Sequence, residues 1–103
     1  GGGGGFSTVG YDGTATGNEG VGGSGSNWYG YRFGGGGGGG NLKMSEYATP
    51  GGNYGGGMGA SDTKNENASN GIIGTGGGGG GASEHFSAAT GGSGIVIIRY
   101  RTP

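Results

Sequence analysis

Few residues in this chain are able to do chemistry, and their spacing sorts them quickly. Ser83, Glu84 and His85 are consecutive, the one place where a hydroxyl, a carboxylate and an imidazole meet in sequence. In an extended backbone side chains alternate, so Ser83 and His85 share a face while Glu84 points away, whereas a hydrolytic triad needs its acid against the imidazole. His85 is the single histidine, there is no cysteine, and the carboxylates Asp12, Glu19, Glu46, Asp62, Glu66 and Glu84 stand singly. A structural zinc site asks for four nitrogen or sulfur donors and a calcium loop for regularly spaced oxygens, so no metal and no cofactor is expected. Glycine is abundant, yet Gly-x-x-x-x-Gly-Lys does not occur and nothing here reads as a phosphate cradle. The five basic residues form no stripe and no Arg-Gly-Gly appears, which argues against a nucleic-acid partner. The expectation is a protein that is not an enzyme.

What remains is contact chemistry. The densest aromatic run is Asn27-Trp28-Tyr29-Gly30-Tyr31-Arg32-Phe33. Read as one extended segment, it puts Tyr29, Tyr31 and Phe33 on one face and Trp28 and Arg32 on the other. Trp, Tyr and Arg supply large contact area and dominate interface hot spots. Trp28, Tyr29, Tyr31 and Arg32 are therefore the first candidates for a contact surface. Tyr47 and Tyr54, like Tyr11, sit singly near Gly or Pro and read as loop-tip residues; Met58 follows three glycines, at a loop apex or as a satisfied edge residue. The competing reading makes the aromatic run the core, its flat rings laid on bare backbone.

That competition arises because the chain has so little else to build with. Of 103 residues 37 are glycine, and Leu, Ile, Val and Phe together number 12, well below the ~20% of an ordinary packed domain. A conventional side-chain core is excluded. The formal net charge is -1, so charge repulsion does not shape the chain either. Glycines concentrate in blocks at 1–5, 34–40, 51–59 (broken by Asn53, Tyr54 and Met58), 76–81 and 91–94, separated by richer segments at 6–33, 41–50, 60–75 and 82–90. We read residues 1–103 as one glycine-rich domain.

Strict Gly-X-Y periodicity is absent and there are 2 prolines, which excludes a collagen helix. A flexible linker suits one such block better than several. A left-handed helix with three residues per turn leaves every N–H and C=O pointing outward. In pure glycine nothing stops neighbouring helices from bonding sideways, so the backbone becomes its own core. Runs of five, seven and six glycines would span roughly 16, 22 and 19 Å in that geometry. The expected fold is thus an irregular glycine-rich one: a polyglycine-II bundle or sandwich with loops, a C-terminal β-strand and essentially no α-helix. Gly34, Gly37, Gly40, Gly76 and Gly79 are its scaffold positions, and residues 19–25 supply a further crossing with Val21 and Ser24 outward. Irregular glycine-rich β structure and disorder outside the C-terminus are the alternatives.

The C-terminal strand is expected over 95–101, where Ile95, Ile97 and Arg99 share one face and Val96, Ile98 and Tyr100 the other. Both faces start apolar, so Ile95, Val96, Ile97, Ile98 and Tyr100 are expected to be covered, by other chains or by the few other hydrophobes. Residues 41–47 have room for one helical turn at most, and the polar stretch 60–70 reads as a solvated loop. No apolar run approaches the ~18 residues of a membrane span, so membrane insertion is not expected. The chain begins with glycine and not Met, and reads as the C-terminal part of a longer polypeptide.

The ending Gly92-Ser93-Gly94-Ile95-Val96-Ile97-Ile98-Arg99-Tyr100 resembles the close of the glycine-rich C-terminal domains of phage tail fibre and tail adhesin proteins. The alternation of glycine blocks with variable segments is similar in plan to the tail-tip adhesins of some T-even-like phages. The resemblance implies a polyglycine-II scaffold whose intervening loops touch the host. It implies a bacterial surface protein or glycan as partner, upstream fibre domains, a homo-oligomer that is a trimer by analogy, and a location in the virion, outside the cell. One departure is that the terminal apolar segment is not a variable loop, which leaves both a receptor-binding tip and a structural fibre module open. Two other classes compete. One is an extracellular structural filament or matrix subunit with no receptor. The other is an ice-binding protein, although Thr8, Thr14, Thr16, Thr49, Thr63, Thr75 and Thr90 have no fixed spacing.

Overall fold

The computed structural model describes residues 1–13, 20–41 and 49–103. Among them there is no helix and one small antiparallel sheet, formed by β1 (Ser26–Trp28) and β2 (Tyr31–Phe33). The expectation of an irregular, essentially non-helical chain is met. The backbone outside the sheet is nevertheless closely bonded.

Residues 34–41 show how. The amides of Gly35, Gly38 and Asn41 donate to the carbonyls of Tyr54, Gly57 and Ala60 (3.2, 2.9 and 2.9 Å). Those of Gly36 and Gly39 donate to Gly23 and Gly20, both at 2.8 Å. The carbonyls of Gly35 and Gly38 accept from Gly78 and Gly81, and those of Gly34 and Gly37 from Phe6 and Gly3, all at 2.8 Å. Each neighbour is met at every third residue, two of them running with this segment and two against it. A β-strand bonds in one plane and to two neighbours at most. A segment with partners on four sides needs its peptide groups turned through successive directions, and a side chain in any of those directions would stand where a neighbour lies.

Glycine meets that demand. A methyl group built on Gly36, Gly37 or Gly38 would collide with the carbonyl oxygen of Gly3, Gly79 or Thr49 respectively. Three consecutive residues therefore face three different segments. Among the described residues the buried positions that are not glycine are Thr49, Ala60 and Ser61. The core is backbone, with its polar groups satisfied by one another. Val21 and Ser24, three residues apart, stay half-buried beside the buried Gly22, Gly23 and Gly25. At another edge the side-chain oxygens of Asn67 and Asn70 accept from the amides of Ser87 and Thr90 (3.1 and 3.0 Å), repeating the three-residue step with amide side chains.

Two expectations require correction. Residues 95–101 form no strand, and among the described residues none of 94–103 takes part in a backbone–backbone hydrogen bond. A β-branched run becomes a strand only against an open ladder, and the ladder found among the described residues belongs to strands of three residues. Nor is this segment covered within the chain: Ile95, Val96, Ile98 and Tyr100 are exposed, and Ile97 alone is half-buried. Residues 60–70 are not uniformly solvated either. Ala60 and Ser61 are fully buried, because Ala60 donates to Gly81 and Ser61 pairs with Glu66 across a turn. The helical turn considered for 41–47 falls, apart from Asn41, outside the described residues.

Candidate functional site

The aromatic run is folded back on itself. Tyr29 and Gly30 occupy the two central positions of the β1–β2 turn with φ of 51° and 84°, the paired positive angles of a two-residue hairpin turn. Glycine takes such an angle freely, and the Gly30 amide donates to Asn27 Oδ1 at 3.0 Å. The hairpin sets Trp28 opposite Tyr31, Asn27 opposite Arg32 and Ser26 opposite Phe33. The face assignment for one extended segment is thus revised: Trp28 lies with Tyr31 and Phe33, and Tyr29 projects from the turn.

At the tip, the Trp28 and Tyr29 rings meet edge to face at 4.9 Å. The Arg99 guanidinium lies 3.7 Å from the centre of the Tyr29 ring. At the base, Phe6 packs edge-on to Phe33 at 5.4 Å. Arg32 lies 5.5 Å from the centre of the Tyr54 ring, so the other face of the hairpin is tied to the turn at 53–55, where Tyr54 has a φ of 69°. Trp28, Tyr29, Tyr31, Arg32 and Tyr54 all retain exposed surface. They form a ridge on the glycine core and are not its filling. Met58 stands apart: its amide donates to Ser69 Oγ at 2.8 Å, and its side chain points outward between buried Gly57 and Gly59. Tyr47 lies outside the described residues.

The scaffold glycines differ among themselves. Gly37, Gly40 and Gly79 each face a carbonyl that a methyl would strike, those of Gly79, Ala82 and Thr90. Gly34 has a φ of 78° and lies against Phe6 Cβ, whereas at Gly76, with a φ of 64°, a methyl would make only an ordinary contact with Gly94 Cα at 3.8 Å. Gly76 is thus suited to glycine by backbone conformation and not by crowding.

Ser83 and His85 do acquire an acid, but from elsewhere in the chain. Asp62 Oδ1 accepts from the Ser83 hydroxyl at 2.5 Å and from the His85 amide at 3.2 Å, while Asp62 Oδ2 lies 2.8 Å from His85 Nδ1. The serine hydroxyl bonds the carboxylate and not the imidazole, so the nucleophile–base contact of a relay is not made. The arrangement clamps the turn at 84–86 to the turn at 62–65. Glu84 also brings a carboxylate oxygen within 4.8 Å of ligand atoms on Asp62 and His85, a set that could hold a cation, although both Asp62 oxygens already serve the clamp.

The Ser83 hydrogen bond holds Asp62 below the usual carboxylate range, aided by His85. The bond to Asp62 raises His85 above the ordinary imidazole value, with further help from the charges of Asp62 and Glu84. Stabilisation from the raised histidine is complete below an unfolded pKa of about 6.5 and fades as pH rises through the folded value. Stabilisation from the lowered aspartate is complete above about 3.9 and fades as pH falls through its folded value. The clamp is therefore strongest between about pH 4 and pH 6.5. An Asp62→Asn variant is expected to lower the His85 midpoint towards its ordinary value, read from the imidazole proton shifts by NMR. An unmoved midpoint would mean the clamp is not formed in solution.

Comparisons of the chain with protein-family models, with curated proteins and with solved structures find no match. Among the described residues no helix is long and apolar enough to cross a membrane. Sequence reasoning placed the aromatic residues together but missed the hairpin, Asp62 and Arg99. Gly30 between Tyr29 and Tyr31 was the signal for a turn. Asp62 lies 21 residues from Ser83, beyond the reach of any local pattern.

Proposed function

We propose that this chain is a host-attachment module of a phage tail fibre or adhesin: a stack of polyglycine-II helices that carries an aromatic ridge to a bacterial surface protein or glycan. The observation that carries the reading is the exposed hairpin of Trp28, Tyr29 and Tyr31 mounted on a core made of backbone. The three-residue repeat of lateral bonds, with more than two neighbours per segment, supports the polyglycine-II geometry. Such a core holds the ridge rigidly, and rigid aromatic contacts lose little entropy on binding. The sequence Gly92 to Tyr100 supports the tail-fibre assignment through its resemblance. The test is competition: purified chain in excess is expected to block adsorption of the particle that carries it. Failure to bind any cell surface would remove the attachment role.

A second reading, an extracellular filament subunit without a receptor, is favoured by the apolar surface of the C-terminal segment. Val96 is 86% exposed and Ile98 78%, a hazard unless another copy or chain covers them. In the attachment reading the same surface joins copies of the chain into a closed oligomer, a trimer by analogy. Val96→Asp with Ile98→Asp is expected to convert the oligomer to a monomer in sedimentation, with the hairpin unaffected. Wild type that grows into open-ended fibres under the electron microscope would decide for the filament.

A further inference from the structure

The returning chain at 99–101 and the β1–β2 turn border an open cleft of about 480 Å³ lined by Trp28, Tyr29, Arg99, Tyr100 and Arg101. Its size falls in the range of small-ligand sites, and its charge is uneven for so neutral a chain. Two arginines line it and no acidic residue does. Among the described residues the ion pair is that of His85 with Asp62, and neither arginine is paired with a described acid. The Arg99 guanidinium lies over the Tyr29 ring, 3.7 Å from its centre, a cation–π contact that restrains the guanidinium fork. That fork matches the two oxygens of a carboxylate or phosphate. Trp28, 37% exposed, adds a flat apolar face with one N–H donor, and the Tyr29 and Tyr100 hydroxyls add polar tips.

We infer that this cleft binds an anionic saccharide, with its carboxylate or phosphate on Arg99 and Arg101 and a sugar ring against Trp28. The inference rests on the attachment reading above and narrows its partner to an acidic glycan. An apolar peptide would cover the two arginines without supplying a counter-charge, which disfavours it. A nucleic-acid strand needs a basic track along its backbone, whereas this chain has five basic residues and a net charge of -1.

Trp28 is the only tryptophan, so its fluorescence reports on the cleft directly. Titration of the purified chain with trigalacturonate, mannose 6-phosphate and neutral maltotriose is expected to give a saturable change with at least one acidic sugar, weakened by salt, and about tenfold weaker binding for maltotriose. Response to trigalacturonate alone assigns a uronate, to mannose 6-phosphate alone a phosphate. Arg99→Gln and Arg101→Gln should each weaken acidic-sugar binding about tenfold while amide exchange of residues 34–40 stays protected. No response to either acidic sugar at millimolar concentration, an equal response to maltotriose, or tighter binding of oligothymidylate would overturn the inference. Two outcomes separate it from the attachment reading. If adsorption depends on Trp28 but no acidic sugar binds, attachment stands and the acidic-glycan site falls. If the sugars bind through Arg99 and Arg101 while cells are ignored, the site stands and attachment falls.

Discussion

Gly37→Ala is expected to unfold the protein under conditions where Gly4→Ala leaves it intact. At residue 37 the added methyl would meet the carbonyl oxygen of Gly79. The obstacle is backbone that cannot step aside, because Gly78 and Gly81 on either side of it donate to Gly35 and Gly38 at 2.8 Å. Moving that segment breaks lateral bonds in a buried place, and each amide or carbonyl left without a partner costs about 1–3 kcal/mol. Overpacking adds about 1–3 kcal/mol. A loss above about 3 kcal/mol is expected, a large share of the ~5–15 kcal/mol that holds a small domain. At Gly4 and Gly94 a methyl meets nothing within 4 Å, and neither has a positive φ. Alanine there is expected to be neutral or to stabilise by about 0.4–1 kcal/mol, by restricting the unfolded chain. Urea melts of the three variants decide the matter. If Gly37→Ala melts with Gly4→Ala, or if the amides of residues 34–40 exchange as fast as those of a free peptide, the backbone core is not the source of stability.

Trp28→Ala should abolish most cell adsorption and leave the fold untouched. The indole contacts Tyr29 at the hairpin tip, and its removal opens no space in the glycine core. Stability should change by less than about 0.5 kcal/mol, the usual range for surface positions. As an interface anchor the same side chain is worth about 2 kcal/mol or more, so adsorption should fall about 30-fold. Tyr29 needs a different substitution, because its φ of 51° would strain alanine. Tyr29→Gly removes the ring and keeps the turn, and it is expected to lower adsorption while also releasing Arg99. Loss of the melting transition in Trp28→Ala would instead make the rings part of the core, the reading that their exposure argues against.

Much of this protein was legible because glycine content is a physical quantity. With 12 large apolar side chains in 103 residues, bonding between backbones was the available source of order, and the aromatic residues left over had to sit on or in that lattice. The errors share one cause. Residues 27–33 read as a single strand because alternation is local, and the bend at Tyr29–Gly30 depends on how the flanking residues pair. Residues 95–101 read as a strand because Ile and Val favour one, but a strand requires a second edge, which the described residues do not offer to this segment. The clamp of Asp62 on Ser83 and His85, and the placement of Arg99 on Tyr29, join parts far apart in sequence.

By itself the sequence determined that this chain would have no side-chain core, that its buried groups would be peptide groups, and that its aromatic residues would be densest around Trp28. Which segments lie side by side, in which direction and at which step, was decided by the tertiary structure. The physical reason lies in the glycine itself. One glycine amide is chemically the same as the next, so a run of them has the strength to bond but carries no register. Register comes from the few side chains that must stay outside the lattice and from the turns that return the chain to it.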